Sequence, residues 1–357
     1  MRLKYVISAV VTLLILLILS KPGFRAKLGE RIYKKAATKQ IAYDVIADIA
    51  DGLHIALCGT GSPMPDTSRM GPCTAVIAGK RMFVVDIGAG ASRNFSSLGL
   101  SSARTEAVLL THFHSDHIGG LNDFLIQRWA NTGANSPLPV YGPKGVETVM
   151  TALNTAYRFD QAYRVKHHGD VMPASGFGGT AIQFDLEATN TAIIIDDQGL
   201  KITAFGVDHG DIAAAVGYRF DYKGRSVVIS GDTSRSKNLE RIAKGADILV
   251  HEALNEEMID IMSDAFTANN NPRLSTIFQD VKDIHTTPVQ AAKSANSANV
   301  KMLVFSHIVP PVPSKILNTF FLDGTGAEFA GEIVMGQDGM MFSLPANSTK
   351  IIRKNLR

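Results

Sequence analysis

Three histidines and one aspartate lie within six residues of the chain, directly after an apolar run at residues 107–110. They are His112, His114, Asp116 and His117. If the chain leaves a strand in extended geometry, side chains two residues apart point to one side, and a turn brings the other two beside them. Imidazoles crowded with a carboxylate are typical ligands of Zn²⁺ or a similar divalent ion. The motif therefore predicts a metal site at the end of this strand.

Three further residues of the same types follow apolar, β-branched runs farther along the chain. They are His209, Asp232 and His307. Because strand ends form one rim of a cleft in open α/β sheets, and ligands bind there, we expect all of these side chains to meet. Seven ligands are enough for two ions rather than one.

The elements that must position these residues alternate between strand and helix patterns from residue 53 onward, which predicts one α/β domain. Strands are predicted at residues 53–57, 74–77, 82–86, 107–110, 139–141, 182–185, 192–195, 201–207, 216–220, 226–229, 248–250, 302–305 and 333–335. Helices are predicted at residues 118–130, 145–157, 237–243, 253–268, 273–282 and 288–297. Thr287 and Pro288 are typical of a helix start.

The N-terminal residues 1–22 are interpreted as a membrane anchor or an uncleaved signal. Residues 5–19 are apolar except for Ser8 and Thr12, and no small-x-small cleavage site follows them. We therefore expect a membrane protein with a single N-terminal anchor. Its periplasmic or other extracytoplasmic face is favoured over the cytoplasmic one as the location of the domain.

The charges are distributed unevenly along the rest of the chain. Residues 1–39 hold nine basic and one acidic side chain, whereas residues 40–357 hold 27 basic and 32 acidic ones. We expect a basic amphipathic linker helix at 23–50, a domain at 51–345 and a basic tail at 346–357. The linker is either solvated or lies on anionic head groups. The negative domain argues against nucleic acid as a partner.

The order and spacing of the candidate ligands resemble those of the metallo-β-lactamase fold, over roughly residues 53–344. Segments 59–63 and 86–90 match as well. The resemblance implies a four-layer αββα sandwich behind the anchor helix, with two zinc ions at one edge. By this resemblance the first zinc is held by His112, His114 and His209, the second by Asp116, His117 and His307, and both by the bridging Asp232. An Asp rather than a Cys at the bridging position separates the chain from true β-lactamases.

Within that superfamily the motifs are similar to those of ribonuclease Z and of the zinc-dependent arylsulfatases. The segments at 251–253 and 285–287 resemble the paired motif with which ribonuclease Z supplies a catalytic histidine oriented by a glutamate. By this resemblance His285 protonates the leaving oxygen and Glu252 orients it. Asp116, Glu252 and His285 are the predicted catalytic residues, and His251 is predicted to be structural.

The predicted substrate class depends on an insertion that this sequence lacks. In tRNA-processing relatives an arm that grips tRNA follows the third metal histidine, whereas here only 22 residues separate His209 from Asp232. Together with the negative domain, this favours a membrane-anchored, arylsulfatase-like dinuclear zinc hydrolase. We expect it to cleave small sulfate or phosphate esters through a metal-bridging hydroxide. The alternative is a ribonuclease Z-type phosphodiesterase, a tRNA 3′-processing endoribonuclease. A third interpretation, a non-catalytic metal-binding protein, is disfavoured by His285 and Glu252. The sequence leaves open whether the chain forms a homodimer.

Two cysteines, Cys58 and Cys73, flank the glycine-containing segment at 59–63 and lie outside every ligand motif. They pair if the domain faces an oxidising compartment and otherwise remain free buried thiols. The sequence leaves these alternatives open.

Overall fold

The computed structural model describes Tyr5 and residues 21–47, 49–187, 189–212 and 214–356. The predicted membrane anchor at residues 1–22 lies outside the described residues, apart from Tyr5, Lys21 and Pro22. Among the helices that the structure does describe, none is long and apolar enough to cross a bilayer. The chain divides into two units, Met1–Val45 and Ile46–Arg357.

The larger unit contains two β-sheets, whose strands we number in chain order over the described ranges. The first sheet has the order β15-β14-β1-β2-β3-β4-β5-β6. Its strands are β1 (Gly52–Gly59), β2 (Cys73–Ala78), β3 (Arg81–Val85), β4 (Thr105–Leu109), β5 (Leu138–Gly142), β6 (Gly179–Gln183), β14 (Met340–Pro345) and β15 (Ile352–Asn355). Strands β3 to β6 run parallel to one another, so their carboxyl ends share one edge.

The second sheet has the order β13-β12-β11-β10-β9-β8-β7. Its strands are β7 (Thr191–Asp197), β8 (Leu200–Gly206), β9 (Val216–Tyr222), β10 (Arg225–Ile229), β11 (Ile248–Leu254), β12 (Met302–Val309) and β13 (Glu332–Met335). Strands β10 to β13 are parallel neighbours. The residues that follow β10 and those at the ends of β11 and β12 therefore come out at the same edge of this sheet.

The core lies between the two sheets. Phe83 and Leu109 of the first sheet and Tyr218, Phe220 and Val250 of the second belong to one buried apolar cluster. Removing such side chains from water stabilises the fold by roughly 25 cal/mol per Å² of apolar surface. The packed sheets form a rigid support for the loops at their edge.

Helices cover the outer faces of the sheets. In the larger unit they are α2 (Ala91–Ser97), α3 (Ser115–Ile118), α4 (Leu121–Thr132), α5 (Val146–Ala156), α6 (Arg158–His168), α7 (Lys237–Ile242), α8 (Glu256–Ala268), α9 (Pro272–Asp280), α10 (Pro288–Ser297), α11 (Leu317–Phe321) and α12 (Thr325–Glu328). Helix α10 packs Ala291 and Ala295 into a cluster with Leu249 and Leu303 of the second sheet. Its Thr287 cap accepts a hydrogen bond from the Gln290 amide, as the sequence predicts.

The N-terminal unit contains helix α1 (Pro22–Ala42). The predicted linker helix ran on to residue 50, but the described helix ends eight residues earlier. The Nζ of Lys80 donates hydrogen bonds to the carbonyl oxygens of Ile46, Ala47 and Ile49, at 2.7, 2.9 and 3.2 Å. Because these carbonyl groups accept hydrogen bonds from Lys80, they do not accept the backbone hydrogen bonds that would continue the helix.

Other elements differ from the sequence predictions for physical reasons. Residues 253–254 were predicted to be helical but belong to β11, whose seven residues are all buried in the parallel sheet. The predicted basic tail at 346–357 contains β15, an exposed edge strand that pairs with β14. Helix α6 has no buried residue and therefore no apolar stripe by which the sequence could indicate it.

The two cysteines are paired. Cys58 in β1 and Cys73 in β2 form a disulfide with their Cα atoms 4.9 Å apart. The bond closes the loop at residues 59–72 at its base. By the chain-entropy account, a loop of about 15 residues corresponds to roughly 3 kcal/mol of stabilisation.

A buried ion pair ties the two sheets together. The Nε and Nη2 of Arg225 in β10 donate hydrogen bonds to the Asp247 carboxylate, at 3.0 and 3.1 Å. Its Nη1 donates to the carbonyl oxygens of Pro345, Ser348 and Lys350, which follow or end β14 in the first sheet. Arg225 is thus satisfied by groups from both sheets.

We predict that Asp247→Ala lowers the free energy of unfolding by about 3–5 kcal/mol, because it leaves the Arg225 charge buried without its carboxylate. Urea denaturation followed by circular dichroism measures this change. The control is Arg164→Gln, which breaks a surface ion pair with Asp160 and should change stability far less. Equal effects of the two substitutions would contradict the proposed role of the buried pair.

Candidate metal centre

Four of the predicted ligands meet in one group. The Nε2 of His112 lies 3.0 Å from the Nδ1 of His114, and the latter lies 3.3 Å from the Nε2 of His209. The Oδ2 of Asp232 is 3.9 Å from the Nε2 of His112. Two atoms that bind one tetrahedral zinc at about 2.0–2.1 Å are themselves about 3.4 Å apart. The spacing of the group therefore suits a single metal ion.

A second group adjoins the first and shares Asp232. Its Oδ2 is 3.2 Å from the Nε2 atoms of both His117 and His307. The Oδ2 of Asp116 lies 3.1 Å from the Nε2 of His307 and 3.5 Å from the Nε2 of His117. All seven predicted ligands are thus brought together in two sets joined by one carboxylate.

The donor atoms suit a divalent ion. The Oδ1 of Asp232 and the Nδ1 of His307 are buried without a hydrogen-bond partner. A buried polar atom that lacks a partner is costly, and a metal or water would satisfy the carboxylate oxygen. Imidazole nitrogens mixed with carboxylates are a ligand set that zinc accepts. The described residues thus fit the metal that the fold implies.

Burial keeps three of the imidazoles neutral, the state in which they can bind a metal. Desolvation lowers the pKa of His112, His114 and His209 below the ordinary histidine value. Burial also works against the charge of Asp232, but His307 and His117 outweigh it and hold its pKa well below its usual range. These shifts favour uncharged imidazoles at three of the ligands and an ionised carboxylate at the shared one.

A carboxylate behind the site, which the sequence analysis did not single out, orients His117. The Nδ1 of His117 donates a hydrogen bond to the Oδ2 of Asp86 at 2.8 Å, which leaves the Nε2 facing Asp232. Asp86 also accepts from the amide and the hydroxyl of Thr111. Burial lowers the pKa of His117, but Asp232 and Asp86 together raise it above the ordinary value. Partners of this kind fix the tautomer of a metal ligand.

The signal for Asp86 was an acid at the last position of a predicted strand, 82–86. Strands β3 and β4 are parallel, with Val85 opposite Leu109, so Asp86 emerges beside the start of the histidine motif. Position 88 requires a glycine, because a Cβ there would lie 2.3 Å from the Asp116 carbonyl oxygen. The strand pairing therefore brings the segment at 86–90 against the ligands.

His285 and Glu252 lie together beside the ligands. The Nδ1 of His285 donates to the Oε1 of Glu252 at 3.1 Å, and the ring of His285 is 5.2 Å from that of His209. The same Oε1 accepts from the amides of Thr286 and Thr233. Burial lowers the pKa of His285, but Glu252 and then Asp232 outweigh it, which raises the pKa to about 9. The Glu252 carboxylate thus favours the protonated form of His285.

Neighbouring groups complete the site. His251 is buried next to Glu252, and its Nδ1 donates to the Glu252 carbonyl oxygen at 2.7 Å. The Nδ1 of His209 donates to the carbonyl oxygen of Ile284 at 2.9 Å, which leaves its Nε2 facing His114.

A cavity of about 430 Å³ lies beside Asp116 and is lined largely by residues of the loop at 59–72. A substrate has room on this side of the cluster.

The comparisons with known proteins agree with this geometry. The family model described as "Beta-lactamase superfamily domain" matches residues 83–308. Ribonuclease Z of Mycobacterium avium is 35% identical over 288 residues, which cover 80% of this chain and 96% of that protein. Ribonuclease Z of Mycobacterium bovis is 36% identical over 289 residues, which cover 80% of this chain and 96% of that protein.

Solved structures show the same fold. Human tRNase Z, short form, superposes with a TM-score of 0.58 at 21% identity and covers 82% of this chain and 99% of that chain. The metallo-β-lactamase fold protein YhfI of Bacillus subtilis gives a TM-score of 0.56 at 16% identity, with 82% and 99% covered. The predicted α/β metallo-β-lactamase fold, with two sheets and helices, is confirmed.

The predicted substrate and partners are wrong. The relatives that match four fifths of the chain are named ribonuclease Z, which favours the alternative over an arylsulfatase-like hydrolase of small esters. The argument against nucleic acid failed because a net charge sums groups over a whole surface, whereas RNA binding depends on where the cations stand.

The predicted membrane partner and extracytoplasmic location are contradicted as well. The finding against them is that the matching relatives are named ribonuclease Z, a name that points to RNA rather than to a membrane surface as the partner. The apolar run at 5–19, from which the anchor was predicted, lies outside the described residues apart from Tyr5.

The family model covers more than half of the chain, and the mycobacterial enzymes match 80% of it at over 30% identity. The metal-ligand geometry, the His285–Glu252 pair and these matches lead to one conclusion: the chain belongs to the β-lactamase superfamily and, within it, to the ribonuclease Z family.

Proposed function

We propose that this chain is a metal-dependent phosphodiesterase of the ribonuclease Z type, which cuts precursor tRNA on its 3′ side. The observation that carries the proposal is the pairing of His285 with Glu252 next to a two-part ligand cluster. A metal-binding protein without catalysis has no need of a histidine oriented by a glutamate beside the ligands. The names of the mycobacterial relatives and of human tRNase Z support RNA as the substrate class.

Two zinc ions are the proposed cofactors. His112, His114 and His209 would hold one, Asp116, His117 and His307 the other, and Asp232 both. Zinc bound by these residues would supply the Lewis acidity that polarises a phosphodiester and lowers the pKa of water. The chain's own contribution is to hold imidazoles and carboxylates at fixed distances. Asp86 and the Ile284 carbonyl accept hydrogen bonds from the Nδ1 atoms of His117 and His209, respectively, and so orient these two rings.

The proposed general acid is His285. Its Nδ1 is bound to Glu252, so the Nε2 is the nitrogen that remains to donate a proton to the leaving ribose oxygen. Two backbone amides hold the Glu252 oxygen in place, which fixes the orientation of the imidazole. Asp116 is the proposed ligand that faces the cavity at the loop 59–72, where the scissile phosphate would enter.

The metal assignment predicts that Asp232→Ala abolishes the binding of two zinc ions per chain, because it removes the shared ligand. Asp86→Ala should weaken zinc binding by about 10- to 100-fold, since it removes only the partner of His117. Elemental analysis and competition with a chelator measure both effects. Asp160→Ala, on the surface of α6, is the matched control and should bind zinc as the unsubstituted chain does. Full zinc binding by Asp232→Ala would refute the shared ligand.

The general-acid assignment predicts that His285→Ala lowers kcat on precursor tRNA by about 10² to 10⁴ while zinc content stays unchanged. A diester with an activated phenol leaving group, such as bis(p-nitrophenyl) phosphate, should lose less because its leaving group needs no proton. Parallel turnover assays on the two substrates make the comparison. Equal losses on both would exclude proton transfer by His285.

The pH profile gives a second readout of the same pair. Glu252 raises the pKa of His285, so activity that depends on protonated His285 is present below that pKa and is lost as pH rises through it. We expect Glu252→Gln to lower the pKa and move the alkaline limb of kcat to lower pH. His168→Gln, an exposed histidine, serves as control and should leave the limb in place. An unshifted limb in Glu252→Gln would contradict the pairing.

The substrate assignment predicts that the full chain cleaves precursor tRNA at its 3′ side, with a kcat/KM above that for p-nitrophenyl sulfate. Gel analysis of the RNA products and a spectrophotometric assay of the ester provide the two values at about 0.15 M salt. Faster hydrolysis of the sulfate ester than of every RNA tested would overturn the proposed function.

A further inference from the structure

The N-terminal helix α1 carries a strong positive charge that the proposed reaction does not yet use. Between residues 21 and 42 the chain has seven basic side chains and the single acidic residue Glu30. All seven basic side chains are exposed: Lys21, Arg25, Lys27, Arg31, Lys34, Lys35 and Lys39. By contrast, residues 40–357 carry five more acidic than basic groups.

Four of these cations form one row along the helix. Lys27, Arg31, Lys35 and Lys39 are spaced four residues apart, and side chains at this spacing lie on one face of an α-helix. At about 1.5 Å rise per residue, neighbouring charges are about 6 Å apart and the row is about 18 Å long. We call these four residues the basic row. A nucleic acid strand presents its phosphates as a similar row of single charges.

The basic row is unfavourable for the helix itself. Each like-charged pair four residues apart destabilises a helix by about 0.2–0.5 kcal/mol, and the row contains three such pairs. Glu30 lies three residues after Lys27 and four before Lys34, so this single acid offsets only part of the repulsion. A polyanion that binds along the row removes this repulsion.

We propose that helix α1 binds the phosphate backbone of the RNA substrate through the basic row. The inference rests on the proposed function, and charge complementarity carries it. Residues 40–357 hold more acidic than basic groups, whereas α1 concentrates exposed cations in one row, so the charge of α1 favours binding of a polyanion. In the described part of the chain, α1 is the helix in which basic side chains most strongly outnumber acidic ones.

The row would act mainly on affinity. Phosphate contacts by lysine and arginine carry no base specificity, and they make binding depend steeply on salt. The chemical step stays with the metal centre. Losing the row should therefore raise KM for RNA and leave the pH profile of kcat unaltered.

The test uses the full chain with Lys27, Arg31, Lys35 and Lys39 all replaced by Gln, a good helix former that keeps α1 intact. The matched control replaces four exposed cations of the larger unit by Gln: Lys166, Lys201, Lys244 and Arg273. Both variants lose the same number of charges. Circular dichroism and zinc content verify that each is folded and loaded.

We expect the row variant to bind precursor tRNA at least about tenfold more weakly at about 0.15 M salt, measured by fluorescence anisotropy. The slope of log affinity against log salt concentration should become shallower by about three, close to one contact per removed cation. KM should rise with kcat retained, and the ratio of RNA cleavage to bis(p-nitrophenyl) phosphate cleavage should fall. The control variant should keep the slope of the unsubstituted chain.

Each contrary outcome has a distinct meaning. If the unsubstituted chain cleaves precursor tRNA and the row variant shows the same slope and KM, the role of α1 is overturned while the proposed function stands. Failure of the unsubstituted chain to cleave any precursor tRNA overturns the proposed function and this inference with it. A slope reduced equally in the control variant also overturns the inference, because the effect would then be one of net charge alone.

Binding to lipid vesicles tests the competing interpretation that α1 lies on a membrane surface. Phe24, Leu28 and Ile32 are exposed on the same helix and are the side chains that a lipid surface would bind. Sedimentation with vesicles of phosphatidylglycerol and phosphatidylcholine compares the row variant with the unsubstituted chain. Loss of vesicle binding together with unchanged binding of precursor tRNA would overturn the proposal in favour of a membrane surface.

Discussion

The site depends on one buried carboxylate, Asp232, held among imidazoles that arise from separate strand ends. An ionised carboxylate away from water is strongly unfavourable unless charged or hydrogen-bonding partners surround it. His117 lies in α3, after strand β4 of the first sheet, and His307 lies in β12 of the second, and both are 3.2 Å from the same oxygen. The two sheets must therefore keep their relative position for both contacts to be made. The Arg225 guanidinium, which binds groups of both sheets, serves that requirement.

The loop at 59–72 is held by interactions that have no role in the chemistry. The disulfide closes its base, and the Asp338 carboxylate accepts hydrogen bonds from the amides of Thr60 and Met70 at its two ends. Arg69 adds a hydrogen bond to the Thr60 hydroxyl. The loop lines the cavity beside Asp116, so its rigidity limits what can reach the cluster. Fixing a binding wall before the substrate arrives avoids the entropy of ordering it on binding.

The parts of the fold that the sequence predicts are those in which one local signal decides the outcome. The ligands could be grouped because each follows an apolar strand, and parallel strands end at one edge. Asp86 was overlooked as a partner of His117 because that contact depends on the pairing of β3 with β4, which no local pattern encodes. Residues 253–254 were taken for helix because a fully buried strand shows no alternation. Strand β15 is charged and exposed, so only its pairing with β14 makes it a strand.

The incorrect substrate prediction shows that the net charge of a surface and a local concentration of charge act differently on a polyanion. The net charge of residues 40–357 describes their average field, and that field does repel a polyanion. An enzyme can still act on RNA if attraction is concentrated in one segment and chemistry in another. Contacts far from the bond to be cut bring the substrate in, and the metal centre then acts on a phosphate that is already bound.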